Sequence, residues 1–375
     1  MATPRRCEQG GSMAKTVLQQ TPAPRAAVQR MHAYHPPLSG RQGLRLDFNE
    51  NTVACSPRVL EALGKIAASD LAKYPERGQV EAKVAQHLGL APEQVLLTNG
   101  VDEAIHILCQ TYLDRGDGFL FPTPTYSMYE IYGSCTDGVV KTVPSAADFA
   151  FPLEPLLAAI TPETKLIAIA SPNSPTGTVA SREQILQVLH RAPHAVVLVD
   201  EAYYHFCGET VMDLVGKVPN LIVARTFSKA YGLAGLRLGM LAAPVGMQQW
   251  LRTVISPYSV NSLALACLPA ALDDDAYLQW YVGEVKAART EMVESLRQLG
   301  VPQWPSRANF ILVKIGPKHT EFVQTMQRRA ILTRDRSKDQ GCAGCVRLTV
   351  GTREQMREAV AAMAEALNEI GWEKA

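Results

Sequence analysis

The chain lacks the features that mark several large classes of protein. It has no apolar run approaching the ~18 residues that a membrane-crossing helix needs. It has no excess of either charge: 37 Lys and Arg stand against 36 Asp and Glu, so a net of +1 leaves no footprint for nucleic acid or an anionic membrane. It shows no internal repeat, no long low-complexity tract and no start that reads as a secretory leader. The eight scattered cysteines are therefore expected to be reduced, in the cytoplasm. Cys342 and Cys345 form a C-x-x-C, but no second pair stands at zinc spacing, so no metal site is expected.

What is present is ordinary for a globular enzyme. The 375 residues are 47% hydrophobic and 19% charged, a length that suits one large domain plus a smaller one. Residues 1–30 are rich in Ala, Gln, Pro and Arg with one acid, Glu8; they read as a disordered tail, a transit-like peptide, or an over-long start ahead of Met13 or Met31. From His32 to Pro57 an extended arm is expected, with helix forbidden at the prolines 36 and 37. Arg58 to Ser69 has helical spacing. After a turn at Tyr74-Pro75-Glu76, so does Gln79 to Leu88.

Then strands and helices alternate. Short apolar strands are expected at 95–97, 118–121, 139–143, 166–170, 195–199 and 221–224, of the kind buried in a parallel sheet. After Pro244 the spacing is mainly helical (247–254, 262–272, 275–299, 320–330, 353–370). Strands are expected at 309–313 and, half-exposed, at 346–351. Polar clusters sit where strands end: Asn99-Gly100, Tyr126, Asn173, Asp200 with Tyr203, and Ser228-Lys229 with Arg237. Ligands bind at the carboxyl ends of strands in a doubly wound α/β sheet.

The stretch A-R-T-F-S-K-A-Y-G-L-A-G-L-R-L-G-M (224–240) states the chemistry most clearly. Two hydroxyls, Thr226 and Ser228, a turn and Arg237 suit a phosphate dianion. Lys229 among small and apolar neighbours suits a Schiff base with an aldehyde. Pyridoxal 5′-phosphate brings both groups. On that reading the phosphate sits on the Gly100–Val101 amides at the start of a helix, with Asp102 as its N-cap. Asp200 pairs with the pyridine nitrogen, Tyr203 and Asn173 bond the ring oxygen, and Tyr126 lies on the ring.

These residues make the chain resemble the fold-type-I pyridoxal phosphate aminotransferases, and among them the histidinol-phosphate aminotransferase branch. The markers are L-D-F-N-E-N (46–51), Y-P-E (74–76), N-G-V-D-E-A-I (99–105), P-T-Y-S-M-Y (124–129), P-N-S-P-T-G-T (172–178) and D-E-A-Y (200–203). The segments L-T-R-D-R-S-K-D and C-V-R-L-T-V-G-T, within 332–352, are the markers most specific to that branch. The resemblance implies a large, mostly parallel seven-stranded α/β domain (76–272) and a smaller α+β domain (273–375), with residues 31–75 as an arm on the small domain and dimer interface. It implies a homodimer in which Tyr74 reaches the partner's cofactor phosphate. It implies amino transfer between glutamate and the keto form of histidinol phosphate, with Asn49, Arg347, Arg334 and Tyr34 as substrate contacts, Tyr34 from the neighbouring subunit. One site must then accept a carboxylate or a phosphate in turn, which the planar fork of arginine suits.

The sequence departs from the family at Val101, where serine is usual, at T-V-A-C (52–55), and at Ser171 and Ser174 beside Asn173. An aromatic or broad-specificity aminotransferase and a decarboxylase of a phosphorylated amino acid remain open, because a fold does not fix its chemistry. A regulator built on this fold would need a DNA-binding module, and about 30 leading residues are too few for one.

Overall fold

In the computed structural model the described residues are 22–35 and 40–373. Residues 1–21 of the expected tail, and the prolines 36 and 37, lie outside them. The rest of that tail is not free: Ala26–Gln29 is a helical turn with Ala27 buried, and Arg25 donates to the Cys135 carbonyl. One small apolar contact and two arginine anchors (the second is Arg30 on Asp137) hold it to the body.

The arm enters the body as β1 (Leu44–Arg45). The large sheet follows: β2 (Val95–Asn99), β3 (Gly118–Thr123), β4 (Val139–Pro144), β5 (Thr164–Ala170), β6 (Val196–Asp200), β7 (Leu221–Thr226) and β8 (Leu238–Ala242). Their order is β2-β8-β7-β6-β5-β3-β4. All neighbours are parallel except that β8 runs against both β2 and β7. The middles of the interior strands are apolar because both faces are buried, and their polar residues fall at the ends.

β8 was not expected. Its L-G-M-L-A reads as part of a glycine-rich turn, yet all five residues are buried. Gly239 is there for a steric reason: a Cβ on it would stand 2.6 Å from Gly100 C and Val101 N. Because β8 is antiparallel, its start lies at the edge where the other strands end. That delivers Arg237, in a left-handed conformation, to the helix beginning at Gly100.

The smaller sheet is formed by β9 (Phe310–Lys314), β11 (Arg334–Asp335) and β12 (Cys345–Thr349), in the order β11-β12-β9 and antiparallel. Between them β10 (Ile331–Leu332) pairs with β1 and ties the arm to this sheet. The expected half-exposed strand at 346–351 is instead buried on both faces. Its polar positions, Arg347 and Thr349, face the arm and bond to it there. The expected helix 58–69 is broken: Pro57–Gly64 ends, three residues intervene, and Ala68–Leu71 is a separate turn. Glycine at the end of the first segment is a poor helix former, and only Val59 is buried to hold the piece down. No helix among the described residues is long and apolar enough to cross a membrane.

Candidate active site

A cleft of about 450 Å³ opens at the carboxyl edge of the large sheet. Val101, Asp102, Tyr126, Asp200, Tyr203, Thr226, Ser228, Lys229 and Arg237 line it, all expected from the sequence. β6 and β7 end side by side and β2 ends at the same edge beyond β8, so residues as far apart as Val101 and Arg237, 136 positions in sequence, converge there.

One end of the cleft is an anion cradle. Gly100 has φ +75° and starts the helix Gly100–Tyr112 directly after β2. A Cβ on Gly100 would lie 2.6 Å from Arg237 Nη2, so only glycine lets the guanidinium approach the helix start. Asp102 is not the N-cap; Asn99 holds that position, and Asp102 is in the first turn. Its carboxylate accepts from Tyr126 Oη at 2.6 Å and Arg237 Nη2 at 3.0 Å. Burial and the neighbouring Asp102 raise the Tyr126 phenol, which therefore stays a donor. Thr226 Oγ1 accepts from the Ser228 N–H at 3.1 Å, closing the turn that leads to the lysine.

The floor is Asp200. Burial pushes its carboxyl up to about 6, against the pull of hydrogen bonds from Tyr129 Oη (2.8 Å) and the Ala202 N–H (3.1 Å). It has no ion pair with any described cation. A buried carboxylate without a cation is an incomplete arrangement. Lys229, also in the lining, donates from Nζ to the Phe48 carbonyl at 2.9 Å. The residues therefore fit pyridoxal 5′-phosphate: a cradle for a dianion, a lysine, and a carboxylate awaiting a ring N–H⁺.

Two expected contacts are corrected. Asn173 does not face the cleft. Its amide donates to the Pro124 carbonyl and Thr176 Oγ1, and accepts from Thr125 Oγ1, all within 2.9 Å, so it is consumed in holding two turns together. Ser174, its neighbour, lines the cleft instead. Asn49 is likewise behind the wall: its Nδ2 donates to Tyr203 Oη at 2.9 Å, so it supports Tyr203 and does not reach the cleft surface.

Behind the lining of the cleft two further arginines pack against it, Arg334 against Phe48 and Arg347 against Ser174; neither is itself a lining residue. Arg334 on β11 stands directly across from Arg347 on β12. Like charges opposed across a ladder are unfavourable on their own. Arg347 is buried and donates to Ser174 Oγ (2.9 Å) and the Asp47 carbonyl (2.7 Å), while its Nε has no partner. Burial lowers its guanidinium to about 10, with Arg336 and Arg334 adding to the effect, and it stays charged at neutral pH. Arg334 lies over Phe48 and donates to Tyr34 Oη of its own chain at 3.1 Å.

Arg41, Arg45, Phe48 and Glu50 of the arm also line the cleft, and sequence reasoning missed them. Arg41 bonds Asp47 and Glu50 and covers Phe48. The motif L-D-F-N-E-N held the only signal. Tyr74 is apart from its own chain's cleft, 78% exposed and stacked on Tyr258 at 4.4 Å. Cys342 and Cys345 are free thiols buried beside Phe149 and Leu312, and neither lines the cleft.

Comparison with known proteins agrees with this geometry. The family described as "Aminotransferase class I and II" matches residues 41–363. The chain is 33% identical to a histidinol-phosphate aminotransferase of Thermoanaerobacter sp. over 83% of this chain and 89% of that one. It is 34% identical to one of Geobacillus sp., over 87% and 90%. The crystal structure of histidinol-phosphate aminotransferase from Sinorhizobium meliloti in complex with pyridoxal 5′-phosphate is 25% identical, with a TM-score of 0.84 over 94% of this chain and 99% of that one. Pyridoxal 5′-phosphate is thus the cofactor of this cleft. The chain belongs to the class I and II aminotransferases, the pyridoxal-phosphate-dependent family that includes these histidinol-phosphate aminotransferases.

Proposed function

We propose that the protein moves an amino group between L-glutamate and imidazole acetol phosphate, giving L-histidinol phosphate and 2-oxoglutarate, as a step of histidine biosynthesis. The observation that carries this reading is the opposition of Arg334 and Arg347 across β11 and β12, beside Tyr34 and Ser174. An anion placed between them relieves the repulsion, and both a carboxylate and a phosphate suit the fork. The relatives' names supply the substrate.

Pyridoxal 5′-phosphate, when bound, supplies an aldehyde for the lysine and a ring that takes up the electron pair left by deprotonation. The chain's residues do the rest. The Gly100 and Val101 N–H groups, Thr226, Ser228 and Arg237 would hold its phosphate. Asp200 would accept from the ring N–H⁺, Tyr203, steadied by Asn49, would donate to the ring oxygen, and Tyr126 would cover the ring. Lys229 would bind the aldehyde, and its Nζ would move the substrate proton. The Phe48 carbonyl, which holds Nζ at 2.9 Å, is a resting place for that amine.

The assembly is read as a homodimer in the cytoplasm. The exposed, stacked pair Tyr74 and Tyr258 supports an interface there, with Tyr74 serving the partner's cofactor phosphate. The chain is divided into an arm (31–75), a large domain (76–272) and a small domain (273–375).

A single-turnover experiment tests the substrate. The holoenzyme is mixed with L-histidinol phosphate, L-glutamate or L-phenylalanine, and the absorbance of the lysine-linked cofactor is followed. Fast loss with the first two and little with the third is expected. Fast loss with phenylalanine and none with histidinol phosphate would make the protein an aromatic aminotransferase.

A further inference from the structure

Tyr129 lies in the first turn of the helix Met128–Cys135, and no part of it is exposed. Its ring packs among Phe119, Phe121 and Tyr126, with centroids 6.3, 5.7 and 6.0 Å away. Phenylalanine rings offer no acceptor, and the Tyr126 hydroxyl is already on Asp102. Among the described residues the Tyr129 hydroxyl makes one side-chain hydrogen bond, to Asp200 Oδ2 at 2.8 Å. The other carboxylate oxygen, Oδ1, accepts from the Ala202 N–H at 3.1 Å. Each oxygen therefore has one protein donor, and the carboxylate plane is fixed from both sides.

We propose that Tyr129 is a positioning residue for the cofactor: its phenol orients the Asp200 carboxylate so that a free lone pair meets the ring nitrogen of pyridoxal 5′-phosphate. This rests on the cofactor reading of the cleft and on Asp200 as the ring partner. The reason for a phenol is that it is a neutral donor. A buried carboxyl with no cation takes up a proton, and a donor bonded to the ionised form opposes that. A cation would oppose it more strongly but would itself satisfy the carboxylate, as Arg225 satisfies Glu201 next door. A buried tyrosine keeps Asp200 ready and leaves the ion pair to the ligand. Burial and Asp200 together hold the Tyr129 phenol well above its ordinary range, so it remains a donor.

The test is cofactor binding by the apo-protein. Tyr129→Phe keeps the ring packing and removes only the hydroxyl. Titration with pyridoxal 5′-phosphate, read by fluorescence quenching, is expected to show affinity down about 10-fold or more, as for loss of a hydrogen bond to a charged group. The loss should grow as pH falls towards 6. In an Asp200→Asn background the same substitution should change affinity by less than about 2-fold, because the partner it acts on is gone. Equal losses in both backgrounds would overturn the proposal. Unchanged affinity in Asp200→Asn alone would instead overturn the ring-partner assignment beneath it. Should Tyr129→Phe fail to fold, apo-protein carrying ¹³Cζ-tyrosine replaces it. One tyrosine carbon should then move with a midpoint near 6, the value to which burial brings Asp200. That movement should vanish in Asp200→Asn; no such resonance would also overturn the proposal.

Discussion

Asp200 and Glu201 are neighbours at the end of β6, both buried, and they face opposite sides of the sheet edge. Glu201 faces away from the cleft and is complete. Arg225 Nε and Nη2 reach it at 2.9 and 2.8 Å, Thr210 and the Val211 N–H bond it, and Tyr204 stacks on the guanidinium. Asp200 faces the cleft and has only neutral donors. The same chemical group is structural on one side and available on the other, and the deciding difference is whether the chain supplies a cation. The Arg334 and Arg347 pair behind the cleft wall inverts this: there two cations oppose each other and neither has an anionic side chain in contact among the described residues.

The contrast can be broken by neutralising each acid. Asp200→Asn should lower turnover by about 10³-fold, the scale of removing one fixed electrostatic partner, with the apo-protein's Tm unchanged or raised. Glu201→Gln should do the reverse. It leaves Arg225 buried without its counter-charge, costing about 3–5 kcal/mol of stability, with cofactor affinity little changed in whatever protein stays folded. Thermal melts and steady-state rates on the two variants decide this; matching profiles would erase the distinction.

In the arginine pair, Arg347→Lys keeps the charge and removes the fork. KM for the phosphorylated substrate should rise by about 10²-fold, consistent with the 2–5 kcal/mol lost on truncating a buried charged partner. A change in kcat alone would place Arg347 outside the substrate site.

The pH dependence sharpens the comparison further. In the apo-protein Asp200 is raised from 3.8 to about 6. A raised carboxyl contributes stability that is full below about 4 and lost as pH rises through about 6, on the order of 2–3 kcal/mol. The bound ring N–H⁺ favours the ionised form, so the holoenzyme should not show this loss. Melting temperatures of apo- and holoenzyme should therefore diverge between pH 4 and 6. Parallel curves would mean that Asp200 is not the ring partner.

The smallest effects separate Asn173 from Ser174. Asn173→Ala should cost about 1–3 kcal/mol of stability through the unpaired turn groups, without altering the cofactor spectrum. Ser174→Ala should leave stability nearly untouched and raise KM for anionic substrates several-fold, through Arg347. Interchanged results would return Asn173 to the cleft.

Much of this site was legible in the sequence, because parallel strands read as apolar runs and their polar ends must gather at one edge. That logic found Lys229, Asp200, Tyr203, Thr226, Ser228 and Arg237. It failed where the deciding contact is not periodic. In the 172–178 turn, successive side chains point opposite ways, so the sequence does not say whether Asn173 or Ser174 faces in. Arg347 and Thr349 alternate with apolar residues as if facing water, when the arm covers them. β8 was hidden by its glycine, which is required by the close approach of Gly100. Phe48 contributes a backbone carbonyl, which no side-chain pattern reveals.

If the Arg334 and Arg347 pair behind the cleft reads the substrate phosphate, removing either the phosphate or the arginine must slow the reaction. The comparison of L-histidinol phosphate with L-histidinol in single turnover, on wild-type and Arg334→Gln holoenzyme, checks this. The phosphate should raise kcat/KM by about 10²-fold or more in the wild type, and most of this advantage should be lost in Arg334→Gln. Equal rates for the two compounds in the wild type, or an advantage undiminished in the variant, would contradict it.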